Sequence, residues 1–411
     1  MSLPARSLSV DAVFTPVVRL LVGLIFALGP VSTDMYLPAF PVMERDLGYG
    51  SGSAQITLTA WMLGLALGLF TLGPLCDRYG RKKPLLVGLC VYIIASALLA
   101  VVTNFYLFCF LRFIAAMGGA TTSVAPRAMV RDVANGAAGV RLMSQLMLIF
   151  GIGPLLAPSI GGLLLGLGSW RLIFWAGAIF GCCLLIGTWF LLPETLPPEK
   201  RFTLPVSGVA ARYWGLLREP LFCSSTLVVS FSTFTMFAYL SNAPSLYEGI
   251  LNFSPKEFAI IFSMNGMGFI IGTQINAKLS QYYLFTRVME AGMMMVFVSS
   301  CLAFCVCELG WVGSHNPWIL CFLIWCSIFA LGFVGPNAGI LALTHHGHQA
   351  GAASALMGTL NWVIAGGAGV LMAYMPAQWV GATSVGMLLG IVGSLISDIW
   401  RRRLDPKSYL E

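Results

Sequence analysis

Polar and charged residues fall in short clusters along the chain, and between them lie about twelve apolar runs of roughly twenty residues. An α-helix rises about 1.5 Å per residue, so a run of that length matches the hydrocarbon core of a bilayer. Strands of a membrane barrel would be about half as long and would alternate in polarity. The pattern predicts helices over 16–40, 54–76, 84–103, 107–130, 141–166, 170–192, 221–243, 257–277, 287–308, 317–341, 350–374 and 379–400. The longest polar interruption, 193–220, separates the sixth run from the seventh. The expected fold is therefore an all-α membrane protein of two six-helix bundles, 1–192 and 221–411, joined by a cytoplasmic loop at 193–220. Two parallel repeats would place a site at the midplane between them, although the repeat itself shows only as a faint likeness of 73–83 to 272–283.

Composition agrees: the 411 residues are 58% hydrophobic and 9% charged, with a mean hydropathy of +0.86, whereas a soluble domain is about a quarter charged. The net charge of +7 is spread through short loops and forms no single basic face, which excludes nucleic acid as the partner. With the N-terminus in the cytoplasm, the inner loops collect Arg78, Arg81, Lys82, Lys83, Arg131, Arg141, Lys200, Arg201 and Arg401 among others. Only Arg45, Arg171 and Lys256 fall outside, which follows the positive-inside rule. The eleven cysteines lie mostly within apolar runs, where a thiol acts as a small hydrophobe, so no disulfide framework is expected. Residues 1–15 precede no small-residue cleavage site, and the first run reads as a retained helix rather than a signal peptide.

Against this background the charges inside apolar runs stand out. Asp34, in Val31-Ser32-Thr33-Asp34-Met35-Tyr36-Leu37-Pro38, lies towards the far end of the first helix. A carboxyl at membrane depth is costly and is kept mostly where it faces a water-filled cavity. The alternative is an interfacial or capping aspartate near Pro38 and Pro41. Arg112 lies in the fourth run, either paired in the interior or snorkelling to the interface. Between the second and third runs, Gly73-Pro74-Leu75-Cys76-Asp77-Arg78-Tyr79-Gly80-Arg81-Lys82-Lys83 combines a tight-turn glycine with a cluster of cations. On charge alone it is equally a topogenic basic turn.

The Gly-x-x-x-Asp-Arg-x-Gly-Arg-Lys spacing resembles the signature loop of the major facilitator superfamily, which makes Gly73, Asp77, Arg78, Gly80 and Arg81 a gating loop. The same resemblance would give Arg112 a part in proton coupling. The fifth helix carries Gly153-Pro154-Leu155-Leu156-Ala157-Pro158-Ser159-Ile160-Gly161-Gly162, similar to the Gly-Pro-x-x-Gly-Gly motif of proton-coupled antiporters, with Ala157 in place of the first glycine. It reads as an antiporter element (Gly153, Pro154, Pro158, Gly161, Gly162) or as a tightly packed helix pair. Asp34-Met35-Tyr36-Leu37-Pro38, Met129-Val130-Arg131-Asp132, Pro193-Glu194-Thr195-Leu196-Pro197-Pro198-Glu199 and Ala350-Gly351-Ala352-Ala353-Ser354-Ala355 together resemble the Bcr/CflA family of bacterial inner-membrane multidrug exporters. That likeness implies proton-driven export of a lipophilic compound.

Tyr36, Trp61, Tyr239, Asn265 and Asn361 are candidates to line a substrate cavity, with aromatic packing and interhelical hydrogen bonds as their default roles. His345, His346 and His348 read as a solvated loop, and no metal site or cofactor is expected. Glu290 and Asp398 are expected at water-accessible helix ends, outside the coupling. The sequence thus predicts a monomeric inner-membrane transporter with both termini cytoplasmic, in which Asp34 and Arg112 couple protons to a small lipophilic substrate. The rivals are an importer or exporter of a metabolite or siderophore on the same fold, and a membrane receptor that moves nothing. An enzyme is disfavoured, since the chain shows no Ser/His/Asp pattern and no P-loop.

Overall fold

The computed structural model describes residues 14–50, 52–134, 136–201, 206–312, 316–344, 350–376 and 378–405. Among these, twelve helices are long and apolar enough to cross a membrane: α1 Pro16–Leu47, α2 Ser53–Tyr79, α3 Lys82–Leu99, α4 Phe105–Val133, α5 Arg141–Gly166, α6 Arg171–Leu191, α7 Pro220–Ile250, α8 Lys256–Leu279, α9 Phe285–Glu308, α10 Trp318–Leu343, α11 Gly351–Tyr374 and α12 Ala382–Leu404. The chain is a multi-pass integral membrane protein of two six-helix bundles, as its hydrophobic pattern predicts. The His345, His346 and His348 cluster lies outside the described residues.

The differences from the predicted boundaries have local causes. Pro38 and Pro41 do not end α1. They sit in the first turns of a 3-10 segment, Leu37–Ala39, and of a fresh helix, Phe40–Leu47, where a missing N–H costs nothing. In α7 the helix runs on past Pro244 as a π-helical turn, Ser245–Ile250. α3 stops at Leu99, because Asn104 already caps α4 by accepting from the backbone of Leu107 at 3.0 Å. The 193–220 connection holds a helix of its own, Val206–Leu217. This helix packs on α11, with Tyr213 and Leu216 buried against Phe222, Ala353 and Leu356. The Tyr213 hydroxyl donates to the carbonyl of Phe70 on α2 at 3.2 Å, and burial with Asp77 nearby pushes its pKa up to about 12, so it remains a donor.

Helix contacts repeat with a step of six. α1 packs on α5, α2 on α4, and α3 on α4 and α6, while α7 packs on α11, α8 on α10, and α9 on α10 and α12. Small residues let the paired crossings close: a Cβ on Gly64 of α2 would fall 2.2 Å from the carbonyl of Phe113 on α4, and one on Gly272 of α8 would fall 2.1 Å from that of Phe329 on α10. By sequence, Val124-Ala125-Pro126-Arg127-Ala128-Met129-Val130 of α4 is similar to Val334-Gly335-Pro336-Asn337-Ala338-Gly339-Ile340 of α10. That is a clearer repeat than the loops provide.

The halves meet along α2 with α11 and along α5 with α8. Thr59 donates to the carbonyl of Gly366 at 3.2 Å, and Thr359 to that of Ala66 at 3.2 Å. At the end that holds Phe40–Leu47, the 3-10 segment Leu37–Ala39 also touches α7 and α8, and Phe40–Leu47 touches Ser245–Ile250. The up-and-down alternation puts Pro16 and Leu404, the outer ends of the first and last spans, at the opposite face, with Arg78, Arg81, Lys82, Lys83 and Arg401.

Candidate functional site

Arg112 is buried at 2% exposure inside the first bundle, so it does not snorkel. Its guanidinium lies 4.1 Å from the ring of Tyr36 on α1, 4.5 Å from that of Trp61 on α2 and 5.8 Å from that of Phe174 on α6. Nη1 donates to the carbonyl of Ser32 at 3.4 Å, while Nε and Nη2 have no hydrogen-bond partner among the described residues. The ring faces carry negative quadrupole charge and hold the cation without cancelling it. Tyr92 completes the cage from α3, its hydroxyl 2.6 Å from that of Ser32 and its ring edge-on to Trp61.

Asp34 ends the straight part of α1, two residues beyond Ser32, and is 6% exposed. Among the described residues its side chain has no hydrogen bond or ion pair, and it is not joined to Arg112. The turn that follows Asp34 is fixed by α5: a Cβ on Gly161 would fall 1.8 Å from the carbonyl of Met35. Of the small residues predicted to matter on α5, Gly161 alone is needed for this approach. A Cβ on Gly153 would stand 3.6 Å from Pro30, and one on Gly162 would meet nothing within 4 Å among the described residues, while Pro154 and Pro158 lie inside the helix.

The loop between α2 and α3 is tied to the ends of α4 and α6. Arg81, 4% exposed, donates from Nε to Asp132 Oδ2 at 2.9 Å and from Nη2 to Asp132 Oδ1 at 3.2 Å, and also pairs with Asp77. Burial alone would lower the Arg81 pKa, but the carboxylates of Asp132 and Asp77 more than offset it and raise the value. Thr195 donates to Asp132 at 3.0 Å, and Glu194 accepts from the backbone N–H groups of Arg81 and Lys82 at 2.8 and 3.2 Å. Gly80, at φ +89°, has no room for a side chain, since its Cβ would stand 2.4 Å from Glu194 Oε2. Arg78 lies outside this cluster, over the ring of Tyr79. Gly73 faces α11, with its Cβ position 3.6 Å from Ala355. Asp132 and Glu194 belong to motifs that were legible in the sequence, but their partnership with Arg81 was not.

The remaining candidates separate. Tyr36 and Trp61 come to Arg112. Tyr239 and Asn265 meet in the second bundle, where Asn265 Nδ2 donates to the Tyr239 hydroxyl at 2.8 Å. Asn361 stands apart on α11, its Oδ1 buried and without a hydrogen-bond partner among the described residues. Asp398 departs from expectation: it is 1% exposed and accepts from Arg401 at 2.9 Å and Arg402 at 2.7 Å, because cations one turn along α12 fold over it. Among the described residues no three His, Cys, Asp or Glu side chains gather as metal ligands.

Residues 22–370 match the model of the Major Facilitator Superfamily. The chain belongs to that superfamily. Across its curated members, the chain is 31% identical to the uncharacterized MFS-type transporter YdgK of Bacillus subtilis (strain 168), over 91% of this chain and 93% of that one. It is 28% identical to a bicyclomycin resistance protein homolog of Haemophilus influenzae, over 87% and 88%. It is also 28% identical to a chloramphenicol resistance protein of Pseudomonas aeruginosa, over 84% and 81%. Of solved superfamily structures, a D-xylose-proton symporter superposes with a TM-score of 0.74 at 16% identity, covering 93% of this chain and 96% of that one. The likeness to bicyclomycin- and chloramphenicol-resistance proteins read from the motifs is thereby upheld, and the superfamily is one of transporters rather than enzymes.

Proposed function

We propose that the chain is a monomeric, proton-coupled exporter of a small lipophilic molecule in the bacterial inner membrane. Both termini face the cytoplasm, and 1–192 and 221–411 rock about the 193–220 connection. The observation that carries this reading is the pair of interior charges in the first bundle: a buried carboxyl at Asp34 with no partner among the described residues, and a buried guanidinium at Arg112 held by aromatic rings. An ion at such depth is retained where charge must change or move. Asp34 takes a proton from the outer face and releases it inward when substrate or the alternate conformation changes its surroundings. Arg112 holds the field around Asp34 positive. The loop cluster of Arg81, Asp132 and Glu194 latches one conformation. Resistance-protein relatives support a drug-like substrate, and the basic residues at the terminal face support the orientation.

Proteoliposomes with an imposed pH gradient test the coupling. Asp34→Asn, fixed as if protonated, is expected to bind substrate yet build no gradient, and Asp34→Glu to keep part of the activity. Undiminished uphill transport by Asp34→Asn would remove Asp34 from the mechanism. Substrate-induced proton release from inverted vesicles, challenged with drugs and then with metabolites and siderophores, separates export from import.

A further inference from the structure

Arg127 lies within α4, yet its side chain is exposed while Ala125, Pro126, Ala128, Met129 and Val130 around it are buried. Its guanidinium stands 5.1 Å from the ring of Phe26 on α1, a fully buried residue that packs in turn on Phe150 of α5 at 4.7 Å. The exposed cation thus stands on the side of α4 that faces α1. Among the described residues it has no hydrogen bond and no ion pair.

The geometry points to Arg127 as a specificity residue of the transport path, which selects substrates that carry an anionic group on an apolar frame. This deepens the exporter reading and rests on it. Phe26, against which Arg127 stands, lies eight residues from Asp34 on α1, or about 12 Å nearer the basic face. A solute entering from that face meets the cation before the carboxyl. A guanidinium with free donors pairs two-pronged with a carboxylate, sulfonate or phosphate, and in a low-dielectric passage such a bond is far stronger than in water. The apolar part of the solute has the Phe26 ring beside it.

The test uses two dyes with one aromatic frame: 8-anilinonaphthalene-1-sulfonate, which carries the anion, and N-phenyl-1-naphthylamine, which does not. Accumulation of each is measured in energised inverted vesicles containing the full-length protein, its Arg127→Gln and its Arg127→Lys variants. The parent is expected to favour the sulfonate. Arg127→Gln should lower the sulfonate-to-amine ratio about tenfold or more, the usual loss of a charge-assisted hydrogen bond, and Arg127→Lys should restore part of it. An equal ratio in parent and Arg127→Gln overturns the proposal, as does a parent that moves the amine but not the sulfonate, and both leave the exporter reading intact. A parent that moves neither dye counts against both. Repeating the assay in vesicles with and without phosphatidylglycerol separates solute from lipid: an Arg127→Gln effect confined to the anionic vesicles would make Arg127 a headgroup contact and sink the proposal.

Discussion

At the scale of single residues, the two ionisable groups found inside apolar runs, Asp34 and Arg112, are both buried in the first bundle. Asp34 and Arg112 were legible because a charge in hydrocarbon is rare enough to be a signal by itself. What holds Arg112 was not legible, since Tyr36, Trp61 and Phe174 come from three other helices and aromatic residues are common in every span. Arg112→Ala empties the aromatic cage and is expected to abolish uphill transport. Arg112→Lys should keep a fraction, because the charge persists while the planar fork that lies on the rings is lost. Proton-driven efflux in proteoliposomes, normalised to inserted protein, decides it, and parent-like transport by Arg112→Ala would make the residue structural. Arg127 gave no comparable signal. A basic residue close to Arg131 reads as part of a charged helix end, and only its place over the Phe26 ring of α1 sets it apart.

At the scale of elements, the helices were readable from hydrophobic run length, and the largest differences are the extensions of α1 beyond Phe40 and of α7 beyond Ala243, where the chain runs on past a proline. The sequence marks Pro38, Pro41 and Pro244 but not the turns that follow them, which depend on packing against other spans. The α5 motif shows the same limit: its small residues are visible as a set, while the one that receives α1 is a fact of tertiary contact. Gly161→Ala is expected to cost about 1–3 kcal/mol or more, because its Cβ meets a backbone carbonyl that cannot rotate away. Gly162→Ala should be neutral or stabilising by up to about 1 kcal/mol, as alanine is the better helix former. Thermal unfolding of the purified variants in one detergent compares them. Equal melting temperatures would show that the Met35 turn relaxes freely.

At the scale of the whole molecule, two six-helix halves follow from one long polar interruption, but how the halves touch does not. Every span is apolar around most of its circumference, so sequence cannot tell a lipid-facing side from one facing the other bundle. The α2 and α11 seam is the place to test movement. Cysteines introduced by Gly73→Cys and Ala355→Cys in a cysteine-free background sit at a Cβ separation of about 3.6 Å, within the range for a disulfide. Oxidation is expected to arrest transport, and a reductant to restore it. Full transport with the crosslink complete would mean that the seam stays closed throughout the cycle.

The aromatic cage of Arg112 has an electrical consequence. A guanidinium matched to a carboxylate would make its surroundings neutral and indifferent to voltage, whereas one held by rings keeps its charge unscreened within the membrane field. Any shift of the first bundle along the membrane normal therefore does electrical work, up to about 2.3 kcal/mol for a full charge across 100 mV. The resting potential then biases which way the bundle leans, even before a proton or a solute has bound.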